Sequence, residues 1–134
     1  MTSAKLTKSI LIVEDNELNR RLLEAVLKPH GYHLLTAKDG ETGVALAQAE
    51  RPDLILMDVL LPGIDGYEAT RQLRAAPETR HLVIVALTAS TAPAEQERAL
   101  TAGCDGYIAK PIDTRAFPQQ VRQFLFDPAT SRDD

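Results

Sequence analysis

The residues with the most chemistry in them are acidic and fall at the ends of apolar runs. Glu14-Asp15-Asn16 follows Ile10-Leu11-Ile12-Val13, and Asp58 follows Leu54-Ile55-Leu56-Met57. Further on, Thr88-Ala89-Ser90 follows Leu82–Leu87, and Lys110-Pro111 follows Gly106–Ala109. Carboxylates gathered at one place repel unless a proton or a cation neutralises them. All-oxygen ligands with open coordination positions suit Mg²⁺. Beside such a cation, the carboxylate of Asp58 is a nucleophile that can take a phosphoryl group as an aspartyl phosphate. Phosphoryl transfer asks the protein mainly for in-line positioning and charge stabilisation. The Lys110 ammonium can pair with one phosphoryl oxygen and the Thr88 hydroxyl can donate to another. The same residues also have plain structural uses. Asp15 serves equally as a strand-end turn residue or helix N-cap, Thr88 as a β-branched strand end, and Lys110 as a solvated loop lysine. Asp58 is the exception: one charge inside the apolar stretch Leu54–Leu61 costs on the order of several kcal/mol unless it is paired or metal-bound.

These positions depend on the elements that carry them. Short apolar runs at Ser9–Val13, His33–Ala37, Asp53–Met57, Leu82–Leu87 and Gly106–Ala109 read as strands. Within them Ile10–Val13, Leu54–Met57 and Leu82–Leu87 are continuously apolar, as parallel strands covered on both faces should be. Helical spacing fills the gaps, with Leu18, Leu22, Ala25 and Val26 as the stripe of the first helix and Phe117, Val121, Phe124 and Leu125 as that of the last. Gly31 and Gly103 read as helix stops, and Asp39-Gly40 and Pro62-Gly63 as turns. Five strands alternating with five helices predict a three-layer α/β sandwich with a parallel sheet and right-handed crossovers. An eight-fold barrel needs roughly 250 residues and is excluded. Ligands of such open sheets bind at the carboxyl ends of the strands, where all the residues above are placed. Gly43 is expected to weaken the second helix, and Pro118, after a cap at Asp113, implies that the fifth helix starts late or is kinked.

The chain has 134 residues, enough for one domain. The division expected is an extension at 1–7, a domain at 8–126 and a polar, frayed tail at 127–134, with no room for a separate effector. Fifteen Lys+Arg against nineteen Asp+Glu give a net charge of −4, which offers no basic face for duplex DNA. Cys104, the single cysteine, excludes an internal disulfide and a zinc knuckle and fits a reducing cytoplasm; it is expected to be a small buried packing residue. No apolar run approaches the ~20 residues of a bilayer span. His30, His33 and His81 share no metal-ligand spacing. Arg71, Arg74 and Arg80 read as a solvated helix face, and Arg20 and Arg21 as the cations nearest the acidic edge.

Taken in order, Ile10–Asn16, Pro52–Asp58, Leu61-Pro62-Gly63-Ile64-Asp65-Gly66-Tyr67, Ala86-Leu87-Thr88-Ala89 and Gly103–Pro111 resemble the motifs of CheY-like response-regulator receiver domains over about residues 8–126. Within that family, Glu14–Arg20 is similar to the stand-alone cell-cycle regulators of the DivK type. The resemblance implies a flavodoxin-like sheet of order 2-1-3-4-5. It implies Asp58 as phosphoacceptor, fed from a phosphohistidine on a sensor histidine kinase or a histidine phosphotransfer protein. Mg²⁺ would be held by Asp15, Asp58, Glu14 and the backbone carbonyl of Leu60. Thr88 and Tyr107 would be the switch pair, Lys110 would pair with the phosphoryl group, and Lys110-Pro111 would be a cis peptide. The fourth helix, fifth strand and fifth helix would be the surface that switches, toward a downstream protein target and not toward DNA or membrane, in a monomer or weak dimer. Such a protein is not a turnover enzyme: it catalyses only its own aspartyl phosphorylation and dephosphorylation.

Some positions depart from the family pattern. The acidic pair is Glu-Asp where Asp-Asp is commoner. Leu60 and Ser90, two residues past the acceptor and past Thr88, are small or apolar and border the path of an attacking water. A haloacid-dehalogenase-type phosphatase also uses an aspartyl nucleophile, but it wants an acid where Leu60 stands. A flavodoxin-like FMN carrier would need a phosphate-receiving first loop, and Glu14-Asp15 repels phosphate. Within the family, a stand-alone regulator, a relay intermediate and a receiver from a hybrid kinase or multidomain regulator stay open; Met1 and the short tail point to a complete protein.

Overall fold

A strand that is apolar at every position must be covered on both faces, and Ile10–Val13 and Leu54–Met57 are buried throughout. In the computed structural model, which describes residues 7–126, β1 (Ser9–Val13), β2 (His33–Ala37), β3 (Leu54–Asp58), β4 (Val83–Thr88) and β5 (Gly106–Ala109) form one parallel sheet. Its order is β2-β1-β3-β4-β5, as the resemblance implies. Five helices connect or follow the strands: α1 (Glu17–Leu27), α2 (Gly40–Glu50), α3 (Gly66–Ala75), α4 (Pro93–Ala102) and α5 (Phe117–Phe126). Alternate strand residues feed two cores. Leu11, Val13, Ile55 and Met57 join α2, α3 and α4 on one face; Ile10, Ile12, Leu54 and Leu56 join Leu23, Leu27, Phe117 and Val121 on the other. The chain leaves β1 toward β2 and later returns toward β3, so strand order reverses between β1 and β3. That reversal opens a crevice at the carboxyl edge.

Capping fixes where the first three connecting helices begin. Asn16, Asp39 and Asp65 each accept a hydrogen bond from the backbone N–H three residues on, at 2.9, 2.7 and 2.8 Å, so each satisfies one of the N–H groups a helix start leaves without an intrahelical partner. Asp39 is therefore a helix cap and Gly40 the first residue of α2, rather than a free turn. The stops at Gly31 and Gly103 are observed, both left-handed.

Three expectations need correction. The buried stripe of α1 is Leu23 and Leu27, while Leu18 is 78% exposed and Leu22 42%; the helix is rotated by about one residue, near 100°, from the stripe expected. Gly43 also has a packing role, separate from its expected cost to α2: a Cβ there would lie 2.9 Å from Val13 Cγ2. Arg74 does not face solvent but lies part-buried in a polar lock with Asp105. Strands β3 and β4 each run one residue further than expected, so Asp58 and Thr88 are their last residues. Between the two readings of Pro118, the late start holds: Asp113 caps a turn through Arg115 and Ala116, and α5 proper opens at Phe117, with Pro118 in its first turn where no N–H is needed. The expected tail and all but Thr7 of the extension lie outside the described residues.

Candidate functional site

Four strand ends converge at the carboxyl edge. β1 delivers Glu14 and Asp15, and its pairing with β2 continues one step through Glu14 N–H to the Ala37 carbonyl at 3.0 Å. Asn16, not Asp15, caps α1, so Asp15 stays exposed and available. Glu14 is 1% exposed; one of its oxygens accepts from Asn16 N–H at 3.1 Å. Arg20 donates to the Glu14 backbone carbonyl at 2.9 Å, which turns this cation toward the site. β3 delivers Asp58, 3% exposed, whose Oδ1 accepts from Leu60 N–H at 3.2 Å. The Leu60 side chain is 74% exposed, so only its backbone can serve the site.

Behind Asp58 the loop is held by close backbone contact. Gly66 N–H donates to the Val59 carbonyl at 3.1 Å, and a Cβ on Gly66 would lie 2.2 Å from the Asp58 carbonyl oxygen. Any other residue there would push α3 off the end of β3. β4 delivers Thr88, buried, its hydroxyl engaged with Ser90 as both donor and acceptor at 3.2 Å. β5 brings Lys110 alongside, its N–H bonded to the Thr88 carbonyl at 2.8 Å, and the Lys110-Pro111 peptide is cis. Tyr107, half-buried and paired with Ala86, packs against the core under α3 and α4.

Electrostatics give the cluster its character. The Lys110 ammonium bridges Glu14 Oε1 at 3.4 Å and Asp58 Oδ2 at 3.2 Å. Burial, reinforced by the Asp58 charge, holds the Glu14 carboxyl above the usual carboxylate range, against the pull of Asn16 N–H and Lys110. One oxygen from each of Glu14, Asp15 and Asp58 lies within 4.8 Å of the others. Three carboxylates with a single shared ammonium leave negative charge in excess, and the donor set is all oxygen, so the residues fit a small hard divalent cation. Among the described residues no other such cluster forms, and no histidine belongs to one.

The structure therefore brings Glu14, Asp15, Asp58, Thr88 and Lys110 to one edge. An apolar groove of about 340 Å³ opens beside Glu14 and Lys110, walled by Leu22, Ala89, Pro111 and Ile112. The sequence reading missed it because it placed Leu22 in the core. Arg20 and Ser90 also took on roles only their contacts reveal; a polar residue two positions past a strand-end threonine was the one signal available for Ser90.

Comparison with known proteins agrees with this geometry. Residues 10–122 match the response regulator receiver domain model. The chain is 39% identical over 122 residues to the polar-differentiation response regulator DivK of Brucella ovis, covering 91% of this chain and 99% of that protein. It superposes with a TM-score of 0.80 and 40% identity on the receiver domain of the sensor histidine kinase PA1611 from Pseudomonas aeruginosa, a structure with a magnesium ion coordinated in its active site cleft; 89% of this chain and 97% of that one are covered. A chain from the co-crystal structure of the Saccharomyces cerevisiae phosphotransfer protein Ypd1 and the receiver domain of its response regulator Ssk1 matches with a TM-score of 0.83, 30% identity, and coverage of 96% and 94%. With its sheet order, acidic edge and motifs in register, the chain belongs to the family of response regulator receiver domains.

Proposed function

We propose that Asp58 is the phosphoacceptor of a two-component response regulator, that the donor is a phosphohistidine on a sensor histidine kinase or histidine phosphotransfer protein, and that the product signals by binding a protein partner. The observation that carries this reading is the Lys110 ammonium set between Asp58 and Glu14, beside the exposed Asp15. An Asp58 carboxylate oxygen attacks phosphorus, the P–N bond to the imidazole breaks, and its electron pair leaves with the ring nitrogen. Lys110 is in reach of the incoming phosphoryl oxygens, and Thr88 reaches them by leaving Ser90. Glu14, Asp15, Asp58 and the Leu60 backbone carbonyl would hold Mg²⁺, which when bound supplies positive charge to the phosphoryl oxygens. Thr88 and Tyr107 carry the change to the face of α4, β5 and α5. The magnesium in the PA1611 receiver and the Ypd1–Ssk1 pairing support the cation and the class of donor. A cytoplasmic location fits the donor class, and no described helix is long and apolar enough to cross a membrane.

Acetyl phosphate with Mg²⁺ tests the assignment. Intact-mass measurement is expected to show one phosphoryl adduct on the wild type and none on Asp58→Asn. An adduct that persists unchanged in Asp58→Asn sinks the reading.

A further inference from the structure

The chemistry above leaves Tyr67 unused, yet Tyr67 connects the acceptor to α4. It follows Gly66, which is pressed onto the Asp58 carbonyl and bonded to the Val59 carbonyl, so its backbone is packed directly against the end of β3. Its ring is buried in the core, its hydroxyl donates to the Glu95 carboxylate in the first turn of α4, and the Arg98 guanidinium lies 4.7 Å from the ring centroid. Burial and the Glu95 charge raise the phenol's pKa, so the hydroxyl remains a donor at any physiological pH.

The start of α4 differs from those of α1, α2 and α3. Its N-cap is Ala92, which has no side-chain acceptor to offer. Glu95 stands three residues on, where an acid ordinarily reaches back to the N-cap N–H. Here it is turned away from the helix end to Tyr67, and the Ala92 N–H donates to Ser90 Oγ at 3.2 Å instead. Ser90 is in turn held by Thr88: Ser90 N–H donates to Thr88 Oγ1, and Thr88 Oγ1 donates to the Ser90 carbonyl, both at 3.2 Å. One hydrogen-bonded run thus links Thr88, Ser90 and Ala92, and it is this run that leaves Glu95 for Tyr67. When the Thr88 hydroxyl turns to a phosphoryl group, Ser90 loses its anchor and Ala92 N–H needs another acceptor. Glu95, three residues past the N-cap, stands at the position that supplies one in a capping box.

We propose that Glu95 is a two-position latch: it holds the Tyr67 hydroxyl while Thr88 is engaged with Ser90, and caps the amino end of α4 when Thr88 turns toward a phosphoryl group on Asp58. The latch rests on the phosphoacceptor reading above and adds to it a brake on switching. Because coupling is reciprocal, weakening the Tyr67 position must favour the phosphoryl-bound arrangement. Stability or packing alone does not give that direction.

Beryllofluoride, a tetrahedral phosphoryl mimic, reads the equilibrium without turnover. Its affinity in the presence of Mg²⁺ is measured on wild type, Tyr67→Phe, Glu95→Gln and Tyr67→Phe/Glu95→Ala. Tyr67→Phe keeps the ring and Arg98 stacking and is expected to bind about threefold to tenfold tighter, the range of one hydrogen bond. Glu95→Gln, a near-isosteric change that still caps a helix but accepts more weakly, is expected to gain about twofold. In the double variant the alternative position is gone as well, and affinity should fall back to within about twofold of wild type. Unchanged or weaker binding by Tyr67→Phe and Glu95→Gln overturns the latch, and a gain that survives in the double variant overturns the two-position form. A wild type that takes neither beryllofluoride nor a phosphoryl group overturns the phosphoacceptor reading, and the latch with it; that failure is visible in the wild type alone.

Discussion

The two edges of the sheet each hold a part-buried cation against carboxylate, and they are built to opposite purposes. At the amino edge, Arg74 donates to the carbonyls of Gly103, Arg80 and Leu82 at 2.9, 2.7 and 2.6 Å and to Asp105 at 2.9 Å. Asp105 also accepts from Ile84 N–H at 2.8 Å. The planar guanidinium fork fixes the loops that enter β4 and β5, and nothing in the arrangement invites exchange. At the carboxyl edge, one flexible ammonium is shared between Glu14 and Asp58 at 3.4 and 3.2 Å, with Asp15 close by. A compact point charge on a four-carbon stem can be displaced by a metal ion or follow a phosphoryl group. On the proposed function, arginine locks the edge that stays fixed and lysine serves the edge where charge comes and goes.

That contrast can be broken from either side. The largest effect is expected for Arg74→Ala, which takes the cation from a buried carboxylate and the donors from three carbonyls. It should lose about 3–5 kcal/mol of stability by denaturant unfolding, with the loss unchanged by Mg²⁺. Lys110→Ala should lose less, about 1–3 kcal/mol in EDTA, and regain most of it in millimolar Mg²⁺, since a divalent cation replaces the missing charge. Its phosphoryl uptake from acetyl phosphate should stay about a hundredfold slower even with the metal, because the ammonium's contact with the phosphoryl group is not replaced. Rescue of Arg74→Ala by Mg²⁺, or its failure for Lys110→Ala, would erase the distinction between the two edges.

The carboxyl edge was legible in the sequence because each of its residues ends a continuously apolar run. Ile10–Val13 before Glu14 and Leu54–Met57 before Asp58 mark strand and terminus together, and parallel topology then brings the termini to one side. The amino edge was not legible. Arg74 lies on α3 beside Arg71, which does face solvent in a pair with Glu68, and no local pattern separates the two. Its partners come from Arg80, Leu82, Gly103 and Asp105, up to 31 positions away. The phase of α1 failed for a related reason. Leu22-Leu23 offers two stripes, Leu18-Leu22 and Leu23-Leu27, each with correct i,i+4 spacing, and only the tertiary packing selects the second. The consequence is functional, since the rejected stripe supplies the exposed Leu18 and a wall of the groove beside the acidic cluster.

The smallest effect concerns the residue that departs from the commoner acidic pair. Glu14 is buried, and burial with the Asp58 charge raises its pKa above the ordinary 4.5. A group whose folded value is raised contributes stability that is fully present below its unfolded pKa and is lost as pH rises through the folded one. In EDTA, Glu14→Gln should therefore match wild type under acid conditions, where the wild-type carboxyl is neutral and nearly isosteric with the amide. As pH rises past the usual carboxylate range toward neutrality, the wild type gives up that contribution and the variant does not. The variant should then be the more stable by about 1 kcal/mol. Added Mg²⁺ should reverse the order, because the cation needs the charge that the amide lacks. Urea midpoints at acidic and neutral pH, with and without Mg²⁺, measure all of this on one pair of proteins. A variant less stable than wild type at neutral pH in EDTA would mean that the Lys110 contact outweighs the burial of Glu14, and would make the carboxyl edge a lock of the same kind as Arg74 and Asp105.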